Sequence, residues 1–299
     1  MSLTASSLKQ KFPKQTITPA DTEAYDAALK SYLSARESER KPSAFFQPES
    51  TQNVVDFLGL VKGTDTKFAI RGGGQQPLDA CANIQDGITV DLSRLTGVQV
   101  KDGIVSVAAG EKWGNVYKAL DAQGLGVTGS RSAKGGIGGL ALAGGLSFVS
   151  SREGFISDNV VTYQVVLASG ETVEASRNQN IDLWRALRGG GNNFGIVTRY
   201  DFRTFPQKPI WGASVFYMAN EDNYTKQVQA LVSEITKADA SPDTHLMVSA
   251  GFFGQFGPAN IGLNQVYCTG QDAESFATSV QPALEPFVSV QPQIEQLKQ

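Results

Sequence analysis

The sequence predicts an α+β fold in which antiparallel hairpins are mixed with single helices. Two turn signals support this, Asp102-Gly103 and Ser169-Gly170, because each lies between two stretches that read as strands. The helical patterns do not alternate regularly with strands, as they would in a doubly wound parallel sheet. Pro206 and Pro209 interrupt both helix and strand and predict a boundary that divides the chain into domains 1–207 and 208–299.

Helices are predicted where a capping residue precedes apolar residues at helical spacing. Thr18-Pro19-Ala20-Asp21 has the pattern of an N-cap followed by proline in the first turn, and Lys41-Pro42 ends that helix. Ser50 or Thr51 caps a second helix, which Gly63 ends. The helices are predicted at residues 19–39, 51–62, 113–123, 180–188, 224–238 and 272–284.

Strands are predicted where apolar residues alternate or form short runs between turn residues. Three of these segments follow Pro209 and lack any glycine cluster, which predicts a different kind of domain there. The strands are predicted at residues 67–71, 87–92, 98–100, 104–108, 160–168, 171–175, 194–205, 213–218, 246–253 and 260–267.

The composition excludes several classes of function. With 41% apolar and 18% charged residues among 299, the chain is typical of a globular protein. A net charge of −3 and scattered basic residues argue against a nucleic-acid partner. The sequence shows neither a secretory apolar region nor a run that could span a bilayer, so we expect a soluble, cytoplasmic protein with no membrane partner.

Histidine and cysteine are too few for most metal and nucleophile chemistry. His245 is the one histidine, and it enters an apolar run, which favours a structural role over a chemical one. Cys81 and Cys268 cannot form a disulfide framework, and we expect both to be reduced thiols. We therefore expect no metal site, and hydrolase or metalloenzyme functions are weakly supported.

Glycine is concentrated in three segments, residues 71–76, 129–145 and 189–195. Glycine allows positive φ and lets backbone N–H groups approach a ligand closely, which suits a pyrophosphate that needs several donors. Tight turns alone would explain any one of the segments equally well. The three together favour one extended ligand.

Two familiar nucleotide motifs are not supported. Gly136 to Ala141 satisfies the literal G-x-G-x-x-G/A pattern, but the polar residues Ser130 to Lys134 precede it where a Rossmann turn requires a buried strand. The chain also contains no G-x-x-x-x-G-K-[ST], so phosphoryl transfer through a P-loop is not indicated.

A set of motifs carries a resemblance to a known family. Ile70-Arg71-Gly72-Gly73-Gly74, Gly136 to Gly145, Asp158-Asn159-Val160-Val161 and Asn193-Phe194-Gly195-Ile196-Val197-Thr198 follow one another between Pro42 and Pro206. In this order they resemble the FAD-binding domain of berberine-bridge-enzyme-like oxidoreductases, within the vanillyl-alcohol-oxidase or PCMH type. The part after Pro206 is similar, more loosely, to the beginning of that family's substrate domain.

The resemblance implies a two-lobed PCMH-type FAD-binding domain followed by part of an antiparallel-sheet substrate domain. It implies that residues 71–77 surround the pyrophosphate, where backbone amides and the charge of Arg71 would hold phosphate oxygens. Residues 129–146 would pass along the pyrophosphate and the flavin, and Asn159-Val160 with residues 195–197 would line the adenosine end. The cofactor-binding residues predicted in this way are Arg71, Gly72, Gly73, Gly74, Gln75, Gln76, Pro77, Gly129, Ser130, Ser132, Lys134, Gly135, Gly136, Gly138, Gly139, Leu140, Gly144, Gly145, Leu146, Asn159, Val160, Gly195, Ile196 and Val197.

The chain departs from the family where relatives bond FAD covalently. Gln75 and, approximately, Ser132 stand where many relatives carry a histidine and some a cysteine. Neither residue can form that bond, so we predict non-covalent FAD, which Gln75 can still hydrogen-bond. Lys134 stands where a small residue is usual, and either favours the anionic reduced flavin or points into solvent.

Relatives also continue beyond the point that corresponds to Gln299, and their catalytic base often lies in that later part. The sequence is therefore expected to be a fragment, a truncated gene product or a protein that has given up part of the site.

The resemblance predicts an FAD-dependent oxidoreductase of secondary metabolism that transfers hydride from a small organic molecule to flavin N5, with molecular oxygen reoxidising the flavin. The alternative is a redox-neutral cyclase or a catalytically silent flavin-binding relative. A structural or interaction module is supported only by the generic features of a soluble domain. No catalytic residue is assigned. Tyr163 and Tyr267 could supply a phenol, but tyrosines in strands more often belong to the core.

Overall fold

The computed structural model describes residues 2–252, 254, 260–269 and 283–294. The chain forms two compact units, the first made of Met1–Ser147 with Phe155–Phe205 and the second of Phe148–Gly154 with Pro206–Gln299. Most of the helix predicted at residues 272–284 lies outside the described residues. Among the helices that are described, none is both long and apolar enough to cross a membrane.

The first lobe of unit 1 packs helices on a small sheet whose order is β1-β2-β4-β3. Strand β1 is antiparallel to β2, whereas β2 and β3 both run parallel to β4. Phe46 of the sheet stacks on Phe57 of helix α4, with ring centroids 5.1 Å apart. The elements are α1 (Ala5–Lys11), β1 (Thr16–Ile17), α2 (Thr22–Lys30), α3 (Ala35–Glu39), β2 (Ala44–Phe46), α4 (Thr51–Val61), β3 (Phe68–Arg71) and β4 (Ile88–Asp91).

The prediction of one helix over residues 19–39 is wrong, because the structure has two short helices separated at residues 31–34. The Leu33 N–H donates to the Gly74 carbonyl at 2.9 Å, where a continuous helix would direct it within the helix. The Ala28 carbonyl accepts from the Arg71 guanidinium at 3.1 Å. Contacts with a distant loop thus replace local helical hydrogen bonds.

The second lobe of unit 1 is built on a sheet of order β5-β6-β10-β8-β9, with β7 also pairing with β10. The hairpin predicted at Asp102-Gly103 is confirmed, and both residues have positive φ, 51° and 76°. The elements from here to the end of unit 1 are β5 (Val98–Lys101), β6 (Ile104–Ala108), α5 (Trp113–Asp121), β7 (Leu125–Val127), α6 (Ile137–Ala143), α7 (Ser150–Glu153, in unit 2), β8 (Val160–Val166), β9 (Thr172–Ser176), α8 (Ile181–Leu187) and β10 (Ile196–Pro206).

Helix α6 lies inside the second glycine segment, where the sequence predicts no helix. Gly136 is its N-cap residue, and Ile137, Ala141 and Leu142 are buried. Two of its seven residues are glycines, which disfavour helix by about 1 kcal/mol each relative to alanine, so the helix depends on burial of its apolar side. It ends at Gly144, whose φ is +112°.

Unit 2 contains an antiparallel sheet of order β11-β13-β12. Val266 and Cys268 of β13 pack with Leu284 and Phe287 in its core. Asn220 caps the long helix by accepting a hydrogen bond from the Asn223 N–H, so this helix starts three residues before its predicted start. The remaining elements are β11 (Trp211–Met218), α9 (Glu221–Ile235), β12 (Thr244–Phe252), β13 (Asn260–Cys268) and α10 (Glu285–Val288).

Candidate cofactor-binding site

A cavity of about 440 Å³ in unit 1 brings the three glycine segments together. Its volume falls within the range of small-molecule and cofactor sites, about 300–1,000 Å³. Residues 72–76 form one side, residues from 130 to 143 a second, and residues from 191 to 197 a third. The segments that are far apart in sequence therefore share one surface.

Gly73 and Gly136 are in direct backbone contact at this cavity. A Cβ on Gly73 would lie 2.6 Å from the Gly136 nitrogen and 2.7 Å from its Cα, and a Cβ on Gly136 would lie 2.5 Å from the Gly73 Cα. Any side chain at either position would separate the two segments. The absence of side chains thus leaves a cradle lined by backbone, which suits a group held by N–H donors.

Lys112 joins the same two segments from the start of helix α5. Its Nζ donates to the Gly73 carbonyl at 3.3 Å, and its backbone pairs with Gly136. Burial of the side chain, and then the charge of Arg71, lower the pKa of Lys112. Lys112 is not among the predicted residues, because a lysine before a helix carries no distinctive pattern.

The cavity wall includes many of the predicted cofactor-binding residues. Most are glycines, and the side chains among them are short or apolar, apart from two glutamines. The predicted residues that line the cavity are Gly72, Gly73, Gly74, Gln75, Gln76, Ser130, Ser132, Gly135, Gly136, Gly138, Gly139, Leu140, Gly195, Ile196 and Val197.

Arg71 does not line the cavity, although the sequence analysis assigned its charge to the pyrophosphate. Its side chain is buried, with 6% of the residue exposed. The guanidinium donates to the Ala28 carbonyl at 3.1 Å and to the Ser31 hydroxyl at 2.6 Å, lies 3.9 Å from the Asp91 carboxylate and packs over the Tyr32 ring. These contacts assign Arg71 to fixing helix α2 against strand β4.

Five more predicted residues serve the structure around the cavity. The carbonyls of Gly144 and Gly145 accept from the backbone N–H groups of Ser157 and Ile156, both at 2.9 Å, and both glycines have positive φ. Gly129 leaves room for the Trp113 ring, which a Cβ would approach to 2.6 Å. Asn159 is hydrogen-bonded to Phe155 and Arg203, and the carbonyl of Val160 accepts from Trp184.

Pro77, Lys134 and Leu146 are exposed and do not line the cavity. For Lys134, this exposure is consistent with a side chain that points into solvent.

Part of the wall was not predicted, and it comes from strands and their ends, from helix α6 and from loops. Tyr200 of β10 is buried, and a Cβ on Gly138 would lie 3.0 Å from its hydroxyl oxygen. Burial raises the pKa of Tyr200 well above its usual value. Strand patterns do not show which face borders a cavity. The unpredicted lining residues are Ile70, Cys81, Ala82, Leu92, Ala109, Leu142, Ala143, Gly191, Asn192 and Tyr200.

A second cavity of about 490 Å³ adjoins the first. The two share Ile70, Cys81 and Asn192 in their walls. Burial, and then the hydrogen bond to the Glu37 carboxyl group, raise the pKa of the Cys81 thiol to about 11. The thiol is therefore protonated near neutral pH and is a weak nucleophile.

The remaining residues that the sequence singled out lie elsewhere. His245 and Tyr267 both pack against Phe148 in unit 2, with ring centroids 5.6 Å and 4.1 Å away. Tyr163 is buried in unit 1 against Tyr200. Within the part of the chain that the structure describes, no cluster of histidine, cysteine and acidic residues could hold a metal ion.

Comparison with known proteins identifies the family. Residues 42–176 match the model of an FAD binding domain. The FAD-dependent monooxygenase tpcD of Cochliobolus heterostrophus is 37% identical over 223 residues, which are 74% of this chain and 43% of the relative. The chain belongs to the family of FAD-linked oxidoreductases. Its relatives also include the bifunctional solanapyrone synthase of Alternaria solani, 35% identical over 206 residues, which are 68% of this chain and 40% of that protein.

The fold of this FAD-linked family is confirmed by solved structures. Physcomitrella patens BBE-like 1 superimposes with a TM-score of 0.83 at 24% identity, over 97% of this chain and 61% of that one. The predicted two-lobed FAD-binding fold, followed by an antiparallel sheet, is therefore confirmed. The chain spans less than half the length of the two curated relatives described above.

Proposed function

We propose that this chain binds FAD without a covalent bond and forms the cofactor-binding part of an oxidoreductase. Residues 1–207 would be the FAD-binding domain and residues 208–299 part of the substrate domain. The observation that carries the proposal is the meeting of three glycine segments at one cavity, with Gly73 and Gly136 in backbone contact. The match of residues 42–176 to an FAD binding domain supports it.

The residues present fit a dinucleotide with a diphosphate at its middle. Backbone amides of Gly72 to Gln75, and those at the start of helix α6, are the donors available to the diphosphate. Lys112, bonded to the Gly73 carbonyl, places a positive charge beside the glycine pair. The apolar side chains of Leu92, Leu142 and Ile196 offer surfaces for the ring systems.

The side chains of the wall support non-covalent attachment. Gln75 is exposed, and its amide lies 3.5 Å from the Gly73 carbonyl. The Cys81 thiol, whose pKa is raised to about 11, is protonated at neutral pH. FAD is then held by packing and hydrogen bonds, and its binding is reversible.

Bound FAD supplies a hydride acceptor, and the protein excludes water from it and orients the substrate. We propose that the substrate is a small organic molecule of secondary metabolism and that molecular oxygen accepts the electrons. The fungal relative named a monooxygenase supports oxidative chemistry. The relative named a bifunctional synthase favours a second candidate, a redox-neutral cyclisation at the same site.

Reconstitution with FAD tests the proposal. The purified chain is incubated with FAD and passed through a gel-filtration column, and flavin absorbance in the near-ultraviolet and blue is followed. We expect flavin to elute with the protein and to remain in the supernatant after acid precipitation. Elution without flavin would overturn FAD binding, and flavin in the acid pellet would overturn non-covalent attachment.

The matched variants are Gly73→Val, which fills the cradle, and Gly59→Ala, whose Cβ would meet no atom within 4 Å. Only the first should abolish co-elution. Anaerobic addition of candidate substrates separates the two chemistries, because hydride transfer bleaches the blue absorbance and redox-neutral cyclisation leaves it unchanged.

A further inference from the structure

Glu37 on the short helix α3 is completely buried, which is rare for a carboxyl group. One of its oxygens, Oε1, accepts from the Cys81 N–H at 2.8 Å, from the Ala82 N–H at 3.3 Å and from the Cys81 thiol at 3.3 Å. The other oxygen, Oε2, has no hydrogen-bond partner among the described residues. The buried carboxyl group is therefore used to hold a loop rather than to pair with a cation.

The residues that Glu37 holds are part of the cavity wall. Cys81 and Ala82 line the first cavity, and Cys81 also lines the second. Both residues lie in the segment 71–83, here called the cofactor loop, which begins with the glycine turn that contributes Gly73. A displacement of Cys81 or Ala82 would change the shape of the space proposed for FAD.

Residues near Glu37 make further hydrogen bonds to the end of the cofactor loop. The Arg40 guanidinium donates two hydrogen bonds of 2.8 Å to the Asp79 carboxylate. The Asn83 amide donates to the carbonyls of Glu37 and Arg40, at 2.8 and 3.1 Å, and the Tyr32 hydroxyl donates to the Ala82 carbonyl at 3.0 Å. The far end of the cofactor loop is thus fixed to helix α3 and its ends.

The near end of the cofactor loop is fixed to the same N-terminal segment. Arg71 donates to Ala28 and Ser31, and the Leu33 N–H donates to the Gly74 carbonyl. Residues 28–40, here called the N-terminal clamp, therefore contact the cofactor loop at both ends. Between these ends, Gly73 contacts the Gly136 backbone and accepts from Lys112, whereas Gln75 and Gln76 are exposed.

We propose that Glu37 is a positioning residue for the cofactor, holding the Cys81–Ala82 wall in the conformation that accepts FAD. The inference rests on the proposed function, because the ligand is the same FAD. The Glu37 side chain itself is not among the residues that line the cavity, so its effect on FAD passes through the loop backbone. Binding of the cofactor then depends on the N-terminal clamp as well as on the glycine segments.

The decisive comparison is the FAD dissociation constant of the wild type, Glu37→Ala, Glu37→Gln and Glu39→Ala. Glu37→Ala removes the acceptor of the Cys81 and Ala82 N–H groups, and we expect FAD to bind about tenfold more weakly. Glu37→Gln retains an acceptor oxygen and should bind within about threefold of the wild type. Glu39 is exposed on the same helix, and its replacement should leave FAD affinity unchanged.

Alkylation of the Cys81 thiol in the FAD-free protein gives a second readout at the residue that Glu37 contacts, and alkylation of the buried Cys268 in the same sample reports any general opening of the chain. Alkylation of Cys81 should be several-fold faster in Glu37→Ala than in the wild type at the same pH. A folded Glu37→Ala protein with wild-type FAD affinity and an unchanged alkylation rate would overturn the inference.

A measurement on the wild type covers the case in which Glu37→Ala does not fold. The amide hydrogens of Cys81 and Ala82 should exchange at least about tenfold more slowly than that of Gln76 in the exposed part of the cofactor loop. Equal exchange rates would refute the role of Glu37. If the wild type binds no FAD, the proposed function fails. The exchange and alkylation results would still show whether Glu37 holds Cys81 and Ala82 in place.

Discussion

Gly73 and Gly136 touch through their backbones, with the Cβ that either residue lacks falling 2.5–2.7 Å from backbone atoms of the other. This contact brings the turn after strand β3 against the start of helix α6, from opposite lobes of unit 1. Lys112 reinforces it by bonding to Gly73 and pairing with Gly136. The two residues thus define where the lobes meet at the cavity.

Replacing Gly73 by alanine should separate these segments. We expect Gly73→Ala to lose most FAD binding and to lower the free energy of unfolding by about 1–3 kcal/mol, the usual cost of overpacking. Urea unfolding and FAD titration measure the two effects. Gly59→Ala is the control, since its Cβ meets open space. If Gly73→Ala had the free energy of unfolding and the FAD affinity of the wild type, the two segments could move apart at little cost, and the prediction would be wrong.

Replacing Arg71 by methionine should destabilise the protein even without FAD. The change leaves the Asp91 carboxylate buried without its cation, and we expect a loss of about 3 kcal/mol in the free energy of unfolding. This value is at the lower end for a broken buried pair because the atoms are 3.9 Å apart. The exposed Arg36→Met is the control. An FAD-free stability equal to the wild type, combined with weaker FAD binding, would instead indicate that Arg71 contacts phosphate.

Alkylation of Cys81 should depend steeply on pH. Its pKa of about 11 means that the reactive thiolate is scarce at pH 8, and the rate should rise about tenfold per pH unit up to that value. The measurement uses iodoacetamide in a Cys268→Ser background, and FAD should slow the reaction because Cys81 lines the cavity. A rate that levels off by pH ~9 would contradict the raised pKa.

Asp21 should make the N-terminal region sensitive to acid. Hydrogen bonds from Lys9, and then from the Thr18 backbone, lower the pKa of Asp21 from 3.8 to about 2. Because the folded pKa is lower than the unfolded one, the contribution is complete above pH ~4 and disappears as the pH falls through about 2. Asp21→Asn should be less stable than the wild type at neutral pH, and the difference should vanish near pH 2.

Urea unfolding at several pH values checks this prediction about Asp21. The exposed Asp26→Asn, on the same helix, is the control. A difference between Asp21→Asn and the wild type that does not change with pH would contradict the assignment.

Sequence patterns predicted the elements whose structure is decided locally. Ser50 accepts the Asn53 N–H and starts helix α4, and Asp102-Gly103 adopts the left-handed conformation of a tight hairpin turn. They also predicted which glycine segments would share a cavity, because the family motifs are specific. In these cases the residues that decide the conformation are neighbours in the chain.

Patterns failed where distant residues decide the conformation. The break after helix α2 depends on Gly74 and Arg71, and helix α6 forms in spite of its glycines because its apolar side is buried. The positions of Arg71 and Glu37 depend on partners far along the chain, and no local signal marks a buried carboxyl group. The glycine cradle was therefore predictable, whereas the side chains that fix it were not.

Strand β10 has a consequence for the time order of folding. It pairs with β6 on one side, as in Arg199 with Ala108, and with β8 on the other, as in Ile196 with Val166. During synthesis, the β5–β6 hairpin and the β8–β9 hairpin cannot join into one sheet until residues 196–206 have left the ribosome, because β10 is the strand that pairs with both. Ile196, Val197 and Tyr200 of that strand complete the wall of the cavity, so the site proposed for FAD is incomplete until the whole first unit has been made.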